Sequence, residues 1–213
     1  MRTQESSVIK KDFQTTSGVI HYSLTVFSNP RRKEKFPLLV AFHGHGGSAD
    51  EYLNLWKREA DRRRIMILAP HRIVYRGKIT VRPEIQLIEA IAQRYSIDKN
   101  KIYLAGVSSG GLMSKWLLWD RPLSWRGVVL VASPPLGKWG GDLHGRHYPP
   151  LLLVHGRKDH QFKFEEVVSD AEFLKTKGMK IEILDYPDAG HEQKPEWSRE
   201  IFDWIEKNSG DHS

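Results

Sequence analysis

Six short apolar runs recur along this chain, and most stop at a glycine, a proline or a polar turn. They are FPLLVAFHG (Phe36–Gly44), IMILAP (Ile65–Pro70), KIYLAG (Lys101–Gly106), GVVLVAS (Gly127–Ser133), PLLLVHG (Pro150–Gly156) and KIEILDY (Lys180–Tyr186). Most lack the polar alternation of a half-solvated strand. They fit strands covered on both faces, as in a parallel sheet. Helical patterns lie between most of them. Ser48–Arg64 places Tyr52, Leu55, Trp56 and Glu59 at helical spacing behind a Ser48 N-cap. Pro83–Tyr95 opens on proline and lines up Ile85, Ile88, Ile91, Ala92 and Tyr95. Leu112–Trp119 is apolar nearly all round, which predicts a central, buried helix. Phe164–Lys177 ends at Gly178, a C-cap signal, and Pro195–Lys207 carries Trp197, Ile201 and Ile205 on one stripe. Asp12–Phe27 differs: two alternating runs around Thr-Ser-Gly predict an antiparallel hairpin. A hairpin followed by strand–helix units predicts an open α/β sheet with helices on both faces.

At 213 residues the chain fits one domain, 1–213. It has no cysteine, which excludes disulfides, thiolate metal sites and a cysteine nucleophile. No stretch approaches the ~20 apolar residues of a membrane span. The N-terminus has no apolar core of signal-peptide length, so the sequence as given reads as cytoplasmic. Charge is uneven: residues 1–107 carry a net of +9, and 108–213 a net of −2. The basic residues are scattered and lack an aromatic-rich stripe, so no nucleic-acid partner is expected. No feature of the sequence sets an oligomeric state.

In open α/β sheets, ligands collect where strands end. Gly106-Val107-Ser108-Ser109-Gly110-Gly111 sits at such an end, between a buried strand and an apolar helix. Small residues there let strand and helix approach closely. They also suit a nucleophile elbow, which lifts one serine above a helix N-terminus. A serine hydroxyl needs a base to take its proton. His191, in Asp188-Ala189-Gly190-His191 after the last strand, is the candidate among ten histidines. His21, His155 and His212 read as a hairpin residue, a strand end and a tail. Asp159, in HGRKDHQF just past the fifth strand, would orient the imidazole; Asp185 and Asp188 are rivals beside the histidine. Phe42-His43-Gly44-His45-Gly46-Gly47 offers backbone N–H groups for an oxyanion hole: His45 or Gly46, together with Ser109. The other readings of that segment are a glycine turn and a His-x-His metal pair. No third ligand follows at a suitable spacing, so no metal is expected.

HGHGG, GVSSGG, HGRKD and DAGH together resemble the α/β-hydrolase superfamily. The likeness is to its small esterases: the phospholipase/carboxylesterase, feruloyl-esterase and polyhydroxyalkanoate-depolymerase-like group. It runs from about Phe36 to Trp204 in matching order. The resemblance implies an α/β-hydrolase fold without a cap domain, Ser108 as nucleophile, His191 as base and Asp159 as its partner. It also implies His45 and Ser109 as oxyanion donors, although relatives often hold a smaller or apolar residue at His45.

The expected activity is hydrolysis of a small-molecule carboxylic ester through an acyl-enzyme, with no cofactor. Thioester or peptide hydrolysis, or a non-catalytic binding role, are the alternatives. Two loops could wall a pocket or be plain surface. Ser133–Pro149 offers Trp139, His144 and Tyr148; His71–Arg82 offers Tyr75 with Arg72, Arg76, Lys78 and Arg82, which would favour an anionic ester.

Overall fold

The computed structural model describes residues 5–30, 32–71, 80–121, 124–136 and 147–210. Its eight strands are β1 Ser7–Thr15, β2 Gly18–Val26, β3 Phe36–Phe42, β4 Met66–Pro70, β5 Ile97–Val107, β6 Gly127–Val131, β7 Leu151–Gly156 and β8 Ile181–Tyr186. They form one sheet in the order β1-β2-β4-β3-β5-β6-β7-β8. The first two strands make the expected hairpin, and β2 joins the sheet antiparallel to β4. All later pairings are parallel. This is the α/β-hydrolase fold.

The helices are α1 Ala49–Arg63, α2 Arg82–Arg94, α3 Ser109–Asp120, α4 Phe164–Thr176 and α5 Ser198–Lys207. The central strands are buried on both faces, and alternate residues feed two cores. Leu38, Val40 and Phe42 of β3 pack with α2, α3 and α4; Leu39 and Ala41 pack with α1 and α5. The apolar runs of the sequence are therefore the inner strands of a two-faced sheet.

Helix starts follow local chemistry. Ser48 caps α1 in a reciprocal pair: its hydroxyl accepts from Glu51 N, while the Glu51 carboxylate accepts from Ser48 N. Several boundaries differ from the sequence reading: the hairpin starts at Ser7 rather than Asp12, and β5 at Ile97 rather than Lys101. The stretch Pro195–Lys207 is not one helix. A 3-10 turn, Pro195–Trp197, precedes α5, and Trp197 stacks on Tyr186 at 4.1 Å. The strand read to Ser133 stops at Val131, because Ala132 takes a positive φ of 42° and turns the chain over the sheet edge.

Candidate active site

Ser108 stands between the last residue of β5 and the first of α3, at φ 51° and ψ −117°. Such backbone is sparsely populated and costs ~1–3 kcal/mol, so the surroundings must hold it. They do. Ser108 N donates to Val131 O at 3.0 Å, and Gly111 N donates to Ser108 O at 2.9 Å. The flanking glycines are needed for close approach. A Cβ on Gly106 would lie 2.2 Å from Gly110 O, and one on Gly110 would lie 2.1 Å from Phe42 O. The packing and the chemical explanations of GVSSGG are thus one explanation. Backbone-to-backbone contact at the glycines is what fixes the strained turn.

Asp159 lies in a tight turn beyond β7, and its side chain is fully buried. Its Oδ1 accepts from Gln161 N at 2.8 Å and Phe162 N at 3.0 Å, and its Oδ2 faces His191 Nδ1 at 2.8 Å. Burial pushes this carboxyl's pKa up. The Phe162 N–H, the His191 contact and the Gln161 N–H outweigh that and hold it below the ordinary range. Asp159 is therefore ionised at neutral pH.

His191 occupies the loop after β8, and that loop is fastened to the one carrying Asp159. Lys158 N donates to Ala189 O at 2.9 Å, and Arg157 N to Tyr186 O at 3.1 Å. The Phe162 ring meets the imidazole edge-on at 5.4 Å. On its far side, His191 Nε2 is 3.0 Å from Ser108 Oγ. Three residues from three strand ends thus form one hydrogen-bonded chain. The rival carboxylates are elsewhere: Asp185 pairs with Arg157, and Asp188 pairs with Lys158 at the surface.

Beside Ser108, residues 44–47 form a turn closed by Gly47 N donating to Gly44 O at 3.2 Å, with Gly46 at φ 75°. A Cβ on Gly44 would lie 3.5 Å from Ser108 Cβ, so this turn backs directly onto the serine. His45 and Gly46 are exposed. Ser109 is the first residue of α3, where an N–H has no intrahelical acceptor. Trp139, Tyr75 and Arg76, like Arg72, Lys78 and His144, lie outside the described residues. Tyr148 is described and packs edge-on against Trp119 at 5.1 Å. No group of three or more His, Cys, Asp or Glu suited to a metal occurs among the described residues.

One residue at the site was passed over in the sequence as a strand end. His155, with its side chain 1% exposed, places Nε2 3.2 Å from Asp159 Oδ2. The only trace in the sequence is a histidine four residues before the aspartate, across a glycine turn.

The sheet order and the serine at the strand-to-helix turn define an α/β-hydrolase. Residues 76–136 and 142–212 match the prolyl oligopeptidase family, and the chain belongs to it. Among solved structures it is similar to S-formylglutathione hydrolase (FrmB) from Staphylococcus aureus, at 13% identity over 99% of both chains and a TM-score of 0.80. It is similar to FphF, a fluorophosphonate-binding serine hydrolase of Staphylococcus aureus, at 13% identity. That match covers 97% of this chain and all of the other, with a TM-score of 0.76. Pyrococcus horikoshii acylaminoacyl peptidase matches at 16% identity and a TM-score of 0.71, over 95% of this chain and 41% of that one. At these identities the likeness is one of fold. No described helix is long and apolar enough to cross a membrane.

Proposed function

We propose that this protein is a serine hydrolase that cleaves carboxylic esters of small molecules through an acyl-enzyme. The reading rests above all on the chain from Ser108 through His191 to Asp159, at 3.0 and 2.8 Å. His191 Nε2 takes the Ser108 proton as the hydroxyl oxygen attacks the ester carbonyl. Asp159, ionised and held by two backbone N–H groups, keeps the imidazole proton on Nδ1 and stabilises the imidazolium. The tetrahedral oxyanion sits over the α3 N-terminus, where Ser109 N–H and His45 or Gly46 N–H donate to it. Each donor of this kind supplies about 3 kcal/mol of transition-state stabilisation. His191 then protonates the leaving alcohol, and water repeats the sequence on the acyl-enzyme.

Peptide hydrolysis is the second reading, favoured by membership of the prolyl oligopeptidase family. The same three residues serve either bond, and pocket shape selects between them. A fluorophosphonate probe should label Ser108 in the native protein and leave Ser108→Ala unlabelled. A panel of 4-nitrophenyl esters, thioesters and peptide amides then separates the readings. Turnover of esters above the Ser108→Ala background with amides inert supports the first. Amide turnover at comparable kcat/KM supports the second, and an unlabelled wild type overturns both.

A further inference from the structure

Asp159 Oδ2 is approached from two sides. His191 Nδ1 lies 2.8 Å away, and the buried His155 imidazole places Nε2 at 3.2 Å. The same Nε2 lies 2.8 Å from Phe162 O. A carbonyl oxygen only accepts, so His155 Nε2 carries a proton and donates it to Phe162 O. Its N–H dipole therefore points at the carbonyl and lies against the carboxylate oxygen that serves His191. Phe162 is tied in twice. Its N–H donates to Asp159 Oδ1, and its ring lies against the His191 imidazole.

We infer that His155 is a positioning residue, whose Nε2–H both pins the Asp159–Phe162 turn and limits how strongly Asp159 draws a proton onto His191. The inference rests on the hydrolase reading above, because it assigns a role within that triad. An N–H group beside a carboxylate spreads part of its charge and lowers its basicity. The imidazolium of His191 then forms when Ser108 attacks, yet releases its proton to the leaving group. The other charges near this group are accounted for. Lys158 is engaged by Asp188 and Lys194 by Glu192; Arg157, whose guanidinium lies over the Phe164 ring at 5.5 Å, is engaged by Asp185 of β8. From α4 the nearest ring is Phe164, tilted over His155 at 6.3 Å. Asp159 and His191 are therefore the titratable partners that His155 acts upon.

The test is the pH dependence of fluorophosphonate labelling of Ser108, in the full chain, for wild type, His155→Leu and His155→Gln, with Ser108→Ala as control. Leucine removes the donor; glutamine returns an N–H at similar reach. Without the donor, Asp159 holds the His191 proton more tightly. The acid limb of the profile should move up by about half a pH unit or more in the leucine variant. It should return toward wild type in the glutamine variant, and the plateau rate should fall several-fold in leucine alone. A limb that stays put or moves down in His155→Leu, with wild type labelling normally, overturns the inference and leaves the hydrolase reading intact. Failure of wild type to label above Ser108→Ala overturns the hydrolase reading itself. A measurement on wild type settles the case in which the leucine variant does not fold. Nitrogen-15 NMR of the histidine rings should find His155 Nε2 protonated, with its N–H protected from exchange. An Nε2 that carries no proton there overturns the inference.

Discussion

Asp159→Asn keeps the shape of the turn and reverses one hydrogen bond. The amide oxygen can still accept from Gln161 and Phe162, but the NH2 then faces His191 Nδ1 and donates to it. That drives the imidazole proton to Nε2, where it meets the Ser108 hydroxyl and cannot accept from it. On the proposed mechanism, kcat for the best ester should fall by ~10⁴ with KM little changed. A loss under tenfold would mean that Asp159 does not set the tautomer. Stability should respond to the same substitution. The folded pKa of Asp159 lies below its unfolded value of about 3.9, so its ionised form stabilises the native state above that pH. The contribution fades as pH falls through the depressed folded value. Asp159→Asn should therefore unfold less steeply than wild type on acidification below about pH 4, as read by circular dichroism. Ser108, Asp159 and His191 were legible in the sequence because each follows a strand end, in the order that this fold uses. Their convergence needed coordinates, and so did His155. Every residue of β7 is buried, so burial cannot reveal which partner the last side chain of the strand meets.

Among the elements, α3 carries the greatest constraint, and its two ends can be tested separately. At the start, a Cβ on Gly110 would meet Phe42 O, a backbone atom with no room to retreat. Gly47, in the neighbouring turn, has nothing nearer than 3.5 Å to such an atom. Gly110→Ala should cost about 3 kcal/mol or more in urea unfolding, and Gly47→Ala less than about 1. Equal costs would show that strand and helix are not in contact at this turn. Further along, α3 buries an amine. Lys115 is 2% exposed, and its Nζ donates to Pro135 O at 2.5 Å. Burial lowers its pKa from 10.5 to about 8, against a smaller upward pull from Asp170. Between those two values the unfolded chain holds a proton that the folded chain has lost, so stability should rise with pH across that window. A shift of this size corresponds to about 3 kcal/mol, which the lost hydrogen bond in Lys115→Met offsets by about 1. The variant should be ~2 kcal/mol more stable than wild type at pH 7, with the advantage gone by pH 10. Equal destabilisation at both pH values would show that the amine is paired well enough to repay its burial. The sequence announced α3 as an apolar, central helix, and it is one. Lys115 is the one charge within the apolar stretch Leu112–Trp119, and nothing in the pattern marks Pro135 O as the acceptor its amine meets.

Taken whole, the molecule is a rigid parallel centre with a looser antiparallel flank. β3, β5 and β6 lie inside the sheet, and their core residues are fully covered by helices on both faces. Among the described residues β1 pairs with β2 alone, and most of its residues are exposed or half-buried. Its ties to the rest of the fold run through side chains such as Lys10 to Asp50. Ser108 hangs from the rigid part: its N–H is bonded to β6, and Gly110 presses on Phe42 at the end of β3. A site that keeps a serine in a costly backbone conformation needs such support, because local opening there would let the turn relax. The hairpin was plain in the sequence from its alternation and its Thr-Ser-Gly turn, and the inner strands from their unbroken apolar runs. That β2 would pair with β4 was not, since a pairing between strands over forty residues apart leaves no local signal. Amide exchange should separate the two regions. Under native conditions the β1 amides bonded to β2 should exchange through local opening, at free energies several kcal/mol below global unfolding. Those of β3, β5 and β6, with the Ser108 N–H among them, should exchange only when the whole molecule unfolds. If the Ser108 amide exchanged as readily as those of β1, the elbow would be a mobile segment. The strain at φ 51° would then have no rigid frame to store it, and the preorganisation on which the proposed chemistry depends would be lost.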